Sequence, residues 1–352
     1  MNDRIKSSIP FVGLHAHSVA GSLFDALGYP PDHMDFAYEN GCDALALTDH
    51  GNANGLSHQV LHAKKMKEQG KTFKPIFGCE AYFIPSIAEW RNEYERALED
   101  KKRAKTLGSE LSGATVEDEN SSKKVQDVLR RRRHLILLAQ NQTGLQNIFK
   151  LISESYKSEN FYRYPRMDYD LLAKYGEGVI AASACLGGVY AGNFWENREE
   201  GDEAVLNAMR ETTRRMVAIF GDRWYGELQW NNVPEQHKLN QFIIKMHEEF
   251  GIGLISTADS HYPNPDAWKD RELYKRLGWL GKAAPSYEST ELPIDVDEIG
   301  YELYPKNGDQ MWESYKKYSA ECGFEYDDDL VLQSIKHTHE IAHQRIENFL
   351  PD

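Results

Sequence analysis

Short apolar runs alternate with amphipathic stretches along most of this chain, and this alternation limits its possible folds more than any other feature. Seven runs have the length and composition of buried strands: 10–14, 44–48, 74–79, 135–139, 179–182, 225–229 and 252–256. The stretches between them have helical periodicity at 31–40, 56–69, 144–155, 168–174, 202–220 and 234–250. Strands that alternate with helices predict a mostly parallel sheet. We therefore predict an α/β fold, a distorted seven-stranded (β/α) barrel. An open dinucleotide-binding sheet is disfavoured because no glycine-rich loop follows the first run.

Two regions interrupt the alternation. Residues 86–133 are rich in charge and contain Gly108 and Gly113, which predicts either an inserted helical hairpin or a mobile excursion. From about Trp268 the strand–helix rhythm stops, and 310–349 has the pattern of two or three helices. We predict a barrel over residues 8–280 and a short helical tail over residues 281–352, separate from the barrel.

Composition narrows the class of protein. With 352 residues and 41% hydrophobic residues, the chain can bury a sizeable core. It has no apolar run of about 18 residues and no apolar N-terminal segment, so we expect neither a membrane partner nor a secretory signal. Four cysteines without a CxxC pair indicate a reducing, cytoplasmic location. A formal net charge of −14 disfavours a DNA-coating protein but is compatible with a metal site, because the ions supply local positive charge.

Metal-type ligands follow four of the predicted strands. His15 and His17 are two residues apart after the first run, so their side chains point to the same face. Asp259 and His261 repeat this arrangement after the last run. The other two are His50, which follows ALALTD, and Glu80, which ends KPIFGCE. In a β/α barrel the carboxyl ends of the strands meet at one mouth, where active sites are built.

The ligand types indicate the chemistry. Any one of these motifs could be an ordinary strand-end histidine, but four coincident strand ends favour a shared metal site. Imidazoles mixed with carboxylates suit zinc, manganese or iron, and the number of ligands implies two or three ions. Paired ions about 3.5–4 Å apart serve phosphoester hydrolysis. We predict six catalytic residues: His15, His17, His50, Glu80, Asp259 and His261.

Several segments resemble one family. FVGLHAHS, ALALTDHGN, KPIFGCEAY, RHLILLAQNQTGLQNI, PRMDYDLLAKYGEGVIAASACLGG, YGELQWN and STADSHY are similar to the polymerase-and-histidinol-phosphatase (PHP) domain of C-family replicative DNA polymerase alpha subunits of bacteria and their phages. The resemblance covers roughly residues 8–280 and implies a PHP-type barrel with nine ligands around three divalent ions.

The resemblance adds three ligands to the six. The acid of the loop VAGSLFD, which is one residue longer than the usual pattern, falls on Asp25. The histidine that opens HLILLA is His134, and the cysteine of SACLGG is Cys185. Without the resemblance, we would interpret Asp25 as a solvated loop acid, His134 as a surface histidine and Cys185 as a small buried hydrophobic residue. An intact set of nine implies a metal-dependent 3′–5′ exonuclease that acts on a DNA 3′ end, either single-stranded or at a primer terminus.

The C-terminal tail indicates which protein partners to expect. YELYPKNGDQMWESY and IKHTHEIAHQRIENF resemble the segment that leads into the polymerase palm, and the sequence stops at NFLPD. We therefore expect no polymerase activity from this chain alone, and we expect a separate polymerase chain or a proofreading subunit as a partner.

Two other functions remain open at this stage. A small-molecule phosphatase similar to histidinol-phosphate phosphatases would use the same barrel, although SACLGG, YGELQW and the tail favour the polymerase subunits. A non-catalytic, metal-stabilised scaffold that docks a proofreading subunit is the third possibility.

Other histidine pairs have metal-like spacing. His337, His339 and His343 in HTHEIAH, and the pair His58 and His62, lie on predicted amphipathic helices, so we interpret both sets as solvated helix faces.

Two charged motifs also need an interpretation. Asp295 and Asp297 resemble a polymerase acid pair but lie in a loop-like stretch without catalytic context. We interpret the run Arg130–Arg133 as a solvated face; the alternative is that it steers the DNA backbone toward His134.

Overall fold

The observed elements follow the predicted alternation. The computed structural model describes residues 4–110, 116–280 and 301–351, and the side chains of 107–119 and 279 lie outside that description. The strands are β1 Ala44–Leu47, β2 Lys74–Phe83, β3 Arg133–Ala139, β4 Phe161–Tyr162, β5 Tyr164–Met167, β6 Val179–Ala182, β7 Trp224–Gln229 and β8 Gly253–Thr257.

The helices alternate with these strands and then follow them. They are α1 Pro30–Glu39, α2 Leu56–Glu68, α3 Ile87–Glu110, α4 Val116–Arg130, α5 Gln142–Ser155, α6 Tyr169–Tyr175, α7 Val189–Asn197, α8 Asp202–Phe220, α9 Pro234–Phe250, α10 Trp268–Trp279, α11 Gly308–Cys322 and α12 Asp328–Glu340. All six helices predicted in the barrel are present, each within two residues of its predicted ends. Helix α7 and the hairpin β4–β5 were not predicted. Among the described helices, none is both long and apolar enough to span a membrane.

The sheet curls into a distorted barrel, which confirms the predicted α/β class. Strands β1, β2, β3, β6, β7 and β8 are neighbours in that order, and strand β5 of the small hairpin β4–β5 pairs with the last two residues of β2, beyond its pairing with β1. The gap between β8 and β1 is bridged by the segment 11–17, in which Gly13 pairs with Leu45 and Ala16 pairs with Ser260. Seven elements therefore surround the barrel interior.

The first of these elements departs from the prediction. The run 10–14 makes only isolated bridges and is not a continuous strand. The backbone N–H of Val12 donates to the Oγ1 of Thr338 at 3.0 Å. Because a side chain of α12 takes this amide, the hydrogen-bond ladder to the neighbouring strand is interrupted there.

Strand β3 runs against its neighbours. It pairs antiparallel with β2 and with β6, whereas β1–β2, β6–β7 and β7–β8 are parallel. The start of an antiparallel strand lies beside the ends of the parallel ones. The beginning of β3 is therefore at the mouth of the barrel.

Side-chain alternation divides the core into two layers. In β1, Ala44 and Ala46 point into the barrel, while Leu45 and Leu47 pack against the surrounding helices, as the period of two requires. Helix α5 covers the outside of the sheet with Leu145, Ile148 and Leu151, which are all buried at helical spacing. It begins at Asn141, whose side chain accepts a hydrogen bond from the N–H of Gly144 at 3.0 Å.

The insertion and the tail are both helical. Helices α3 and α4 pack together through a small core that includes Trp90, whose indole N–H donates to the carbonyl of Val128 at 2.8 Å. In the tail, Ile341, Ala342 and Ile346 belong to the same buried cluster as the barrel interior. The predicted boundary at residue 281 lies outside the described residues, as do Asp295 and Asp297.

Candidate metal centre

The nine sequence-predicted ligands lie together at the mouth of the barrel. Within the described part of the chain, the donor atoms of seven of them form three overlapping groups, in each of which the atoms lie within 4.8 Å of one another, and Asp25 and Cys185 lie beside these groups. The groups are His15, His17, Glu80 and Asp259; His50, Glu80 and His134; and His17, His50 and His261. Glu80, His17 and His50 each belong to two groups, so the groups form one continuous cluster.

Glu80 lies at the centre of this cluster. Strand β2 continues past the predicted end at residue 79 to Phe83, so Glu80 lies inside the strand and is fully buried. Its Oε2 is 2.6 Å from the Nε2 of His15. Its Oε1 is 2.9 Å from the Nδ1 of His50 and 2.7 Å from the Nδ1 of His134. One carboxylate thus contacts imidazoles from three different elements.

Asp259 faces the first histidine pair. Its Oδ1 is 3.0 Å from the Nε2 of His15 and 3.3 Å from the Nε2 of His17. The backbone of Asp259 has a φ of 48°, in the left-handed region that non-glycine residues rarely adopt. Such conformations persist where the surrounding structure imposes them, and they concentrate at functional sites. Here the N–H of Ser260 donates to the carbonyl of His15, which fixes the turn beside the first histidine pair.

Asp25 reaches the cluster from the loop after His17. Its Oδ2 is 2.8 Å from the Nε2 of His50 and 3.1 Å from the Nε2 of His261. Its other oxygen accepts a hydrogen bond from the buried guanidinium of Arg271 at 2.5 Å, and the Nε of Arg271 donates to the Asp25 carbonyl at 2.6 Å. The loop is therefore held in place by α10, with one carboxylate oxygen directed at the histidines.

His134 and Cys185 reach the mouth from β3 and from the loop after β6. His134 opens its strand but lies at the mouth because β3 is antiparallel. The Sγ of Cys185 is 3.5 Å from the Nδ1 of His134. Gly187 lies directly against this imidazole, since a Cβ at that position would be 3.1 Å from the Nδ1. Cys185 therefore lies beside the group that contains His134 but belongs to none of the three ligand groups.

The cluster fits divalent cations. Four buried atoms make no hydrogen bond of ordinary geometry with any described residue, although imidazoles stand close to them: Oε1 of Glu80, Nδ1 of His50 and both carboxylate oxygens of Asp259. Burying a carboxylate without partners costs several kcal/mol, and coordination to a metal removes that cost. Mixed imidazole and carboxylate donors are those that zinc, manganese and iron accept.

The charge states of two carboxylates and of His261 agree with this fit. Burial opposes ionisation of Glu80 and Asp259, but neighbouring imidazoles outweigh burial, so the pKa of each carboxyl lies well below its usual range. Burial lowers the pKa of His261 to about 4, which leaves this imidazole neutral at physiological pH. At His15 and His50, nearby negative groups instead outweigh burial and raise the pKa of each imidazole well above its ordinary value. Metal ions bind anionic carboxylates and neutral imidazoles, so an ion bound there would displace these protons.

Three residues with a role at this site were not among the predicted site residues. Glu227, in the middle of β7, has an Oε1 that lies 2.7 Å from the Nδ1 of His15. The sequence signal for Glu227 was that it is the single carboxylate within the apolar run WYGELQ. Asp49 accepts hydrogen bonds from Ser18 and Ser22 and so shapes the loop that carries Asp25. The role of Arg271 had no local signal, because it depends on a contact with a residue 246 positions away.

The remaining motifs lie away from the cluster. The Nδ1 of His337 is 2.9 Å from the carbonyl of Leu254, and His62 pairs with Asp35 at 3.0 Å. His339 and His343 are partly exposed, as expected, but both face Asp43.

The arginine run is only partly a solvated face. Arg131 pairs with Glu93 on α3 at 2.5 Å, and Arg133 pairs with Glu196. The guanidinium of Arg132 lies over the ring of Tyr164, 4.1 Å from its centroid.

The fold and the cluster together define the class of protein, an α/β barrel with a buried cluster of metal-type ligands at its mouth. The family model of the PHP domain matches residues 13–231, and the chain belongs to this family. A DNA polymerase III subunit alpha of Aquifex aeolicus is 37% identical over 256 residues, covering 73% of this chain and 18% of that protein. The corresponding subunit of Deinococcus radiodurans is 33% identical over 305 residues, covering 86% of this chain and 19% of that protein.

The chain therefore spans about a fifth of the length of these curated relatives. Among solved structures, an amidohydrolase from Chromobacterium violaceum aligns with a TM-score of 0.36 and 15% identity, covering 75% of this chain and 96% of that one.

Proposed function

We propose that this chain is a metal-dependent phosphodiesterase that removes nucleotides from the 3′ end of DNA. One observation carries the proposal: three ligand groups overlap in a single buried cluster at the barrel mouth, and Glu80 belongs to two of them. A ligand set of this size fits several ions side by side, which is the arrangement that phosphoester hydrolysis uses.

The proposed ligands are His15, His17, Asp25, His50, Glu80, His134, Cys185, Asp259 and His261. When bound, divalent ions (zinc, manganese or iron, three in number) would supply Lewis acidity and a water of lowered pKa. The chain's own residues hold the ligands in orientation. Glu227 keeps the Nδ1 of His15 engaged so that Nε2 faces the cluster, and Arg271 holds Asp25 by one oxygen. The walls of the mouth exclude bulk water, since His15, His17 and Glu80 are all buried.

Aromatic side chains beside the cluster favour a nucleic-acid substrate. The ring of Tyr82 lies 5.6 Å from that of His134 and 5.2 Å from that of Tyr164, and Arg132 covers Tyr164. Nucleobases stack on such rings with about 1–3 kcal/mol per base, and an unpaired end offers its bases for stacking. The formal net charge of −14 disfavours tight binding along a duplex. We therefore propose a single-stranded 3′ end or a frayed primer terminus as the substrate.

The relatives provide the biological setting of the proposal. They are DNA polymerase III alpha subunits of which this chain spans about a fifth. We propose that the chain acts in the cytoplasm as the PHP module of a replicative polymerase of this family, with residues 8–280 as the barrel and 281–352 as the helical tail. A polymerase body or a proofreading subunit would then be its protein partner.

Single strands labelled at one end test the proposal. With manganese or zinc added, a 5′-labelled oligonucleotide should give a ladder of shortened products, and a 3′-labelled one should release labelled mononucleotide first. Chelation of the metal and the substitution Asp259→Ala should each abolish both reactions. The control is Glu302→Gln, which removes a carboxylate in the tail and should leave both reactions intact. Trimming that survives Asp259→Ala, or label released from the 5′ end, contradicts the proposal. Faster turnover of histidinol phosphate than of DNA would identify a small-molecule phosphatase instead.

A further inference from the structure

A second cluster of metal-type ligands lies at the opposite end of the barrel. Asp43 directly precedes β1, whereas the residues of the proposed active site follow the carboxyl ends of the parallel strands. His339 is at the end of α12, and His343 lies in the single π-helical turn Ile341–Arg345 that follows. These three side chains form the one group of potential ligands, among the described residues, that lies outside the barrel mouth.

The geometry of the cluster is that of a chelating site. The Nε2 of His343 is 3.0 Å from the Oδ1 of Asp43, and the Nε2 of His339 is 3.3 Å from the Oδ2. The two imidazole rings are 4.3 Å apart between centroids. Both histidines therefore direct the same nitrogen at one carboxylate, each at a different oxygen.

The surrounding structure holds the histidines in place. The ammonium of Lys74 donates to the carbonyls of Ala342 and Ile346, at 2.6 Å and 2.5 Å. These contacts fix both ends of the π-helical turn that contains His343. Single π-helical turns are rare and occur frequently at functional sites. Here the wider turn begins between the two histidines and sets their relative orientation.

The cluster also has room for further ligands. Asp43 and His343 line an open cavity of about 580 Å³ together with residues of the turn and of β2. All three side chains are partly exposed, between 33% and 39%. Water can therefore complete the coordination of an ion held by three protein ligands, which is a common arrangement for zinc with open positions.

We propose that Asp43, His339 and His343 bind one divalent transition-metal ion, with zinc as the representative ion. Two imidazoles and a carboxylate select zinc, copper or nickel over calcium or magnesium. This site is independent of the proposed catalytic cluster and of the phosphodiesterase activity.

The consequence of binding follows from the chain connectivity. Asp43 and His343 are 300 residues apart in sequence. An ion that binds both joins the C-terminal tail to the first strand of the barrel. Because the unfolded chain does not hold these ligands together, zinc binding stabilises the folded state and fixes the tail on the barrel.

Counting bound ions tests the proposal. Native mass spectrometry of the full chain after zinc loading should show one ion fewer in the double variant His339→Ala/His343→Ala than in the unmodified protein. The matched control is His58→Ala/His62→Ala, which removes a pair with the same spacing on α2 and should leave the number of ions unchanged. An equal number of ions in the unmodified protein and the His339→Ala/His343→Ala variant overturns the proposal.

Two further measurements separate this site from the catalytic cluster. Asp43→Asn preserves the shape of the residue but removes its charge, and it should weaken zinc binding by more than about 100-fold, since even loss of a second-shell partner costs 10–100-fold. If the double variant His339→Ala/His343→Ala does not fold, Asp43→Asn takes its place in the ion count. Zinc should raise the melting temperature of Asp259→Ala, and this increase should become smaller when Asp43→Asn is added. A zinc-dependent increase of the same size in the combined variant contradicts the site.

Discussion

Replacement of Glu227 by glutamine is the most informative single change near the proposed catalytic cluster. Glu227 is buried, and its Oε1 lies 2.7 Å from the Nδ1 of His15, 2.9 Å from the Nε2 of Gln229 and 2.5 Å from the Oγ1 of Thr257. Its Oε2 makes no hydrogen bond with the described residues. A glutamine can therefore keep its carbonyl oxygen in the Oε1 position and place its amide nitrogen at Oε2. The substitution removes the charge and preserves the contacts.

The expected effect is on metal affinity. The negative charges of Asp259 and Glu227 outweigh burial and hold the pKa of His15 well above its ordinary value, so Glu227 makes this imidazole a stronger base. Loss of such a carboxylate behind a metal-binding histidine lowers metal affinity by about 10–100-fold. This corresponds to about 1.4–2.7 kcal/mol of binding free energy.

The assay is the dependence of DNA trimming on manganese concentration. We expect the midpoint of activation of Glu227→Gln to rise by about 10–100-fold, while the rate at saturating manganese stays near that of the unmodified protein. Glu302→Gln is the matched control, because it makes the same chemical change at a carboxylate that contacts Lys306 and Tyr318 in the tail. An unchanged midpoint, or a loss of rate that excess manganese does not restore, would show that Glu227 does not act through His15.

Three further predictions concern the substrate, pH and the core. Tyr164→Ala should weaken binding of single-stranded DNA by about 1–3 kcal/mol in a fluorescence-anisotropy titration, with little change in kcat, because it removes a stacking surface; unchanged affinity would exclude this surface from the DNA path. Burial opposes ionisation of Glu302, but the charge of Lys306 and the hydrogen bond from Tyr318 outweigh it and hold its pKa at about 2, below the ordinary 4.5. This stabilisation is fully present above pH 4.5 and is lost as the pH falls toward 2, so Glu302→Gln should lower the free energy of unfolding by about 2 kcal/mol at pH 7, after allowance for partial exposure. Urea titrations at several pH values measure this difference, and a difference that does not shrink below pH 4.5 would refute the assignment. Leu151→Ala should cost about 2–5 kcal/mol of unfolding free energy, because it leaves a cavity under α5; a loss below about 1 kcal/mol would mean that the site collapses around the smaller side chain.

Local periodicity was sufficient to predict most elements of the fold. Six helices of the barrel were predicted because each carries an apolar stripe at helical spacing, as α5 does with Leu145, Ile148 and Leu151. The strands were predicted because these apolar runs have the length of strands and are shorter than most helices. Hairpin β4–β5 was missed because FYRYPRM has neither the alternation of a half-buried strand nor a two-residue glycine turn. Its turn instead uses Arg163 with a φ of 61°.

Position at the ends of predicted strands indicated six of the proposed ligands, and family resemblance supplied the other three. His15, His17, Asp259 and His261 were found because residues two apart on an extended segment share a face. His134 has no such signal, because the direction of a strand within a sheet is not encoded in the strand itself. Only its antiparallel pairing with β2 brings the start of β3 to the mouth.

What the sequence by itself determined is therefore the set of local elements, the α/β class and the ligand pairs that are close along the chain. The tertiary structure decided which distant side chains meet: Arg271 with Asp25, Glu227 with His15, and Asp43 with His339 and His343. The physical reason is the range of the interactions. Backbone geometry and hydrophobic periodicity act over a few residues, whereas each of these contacts joins residues more than 200 positions apart and forms only when the barrel closes and the tail packs against it.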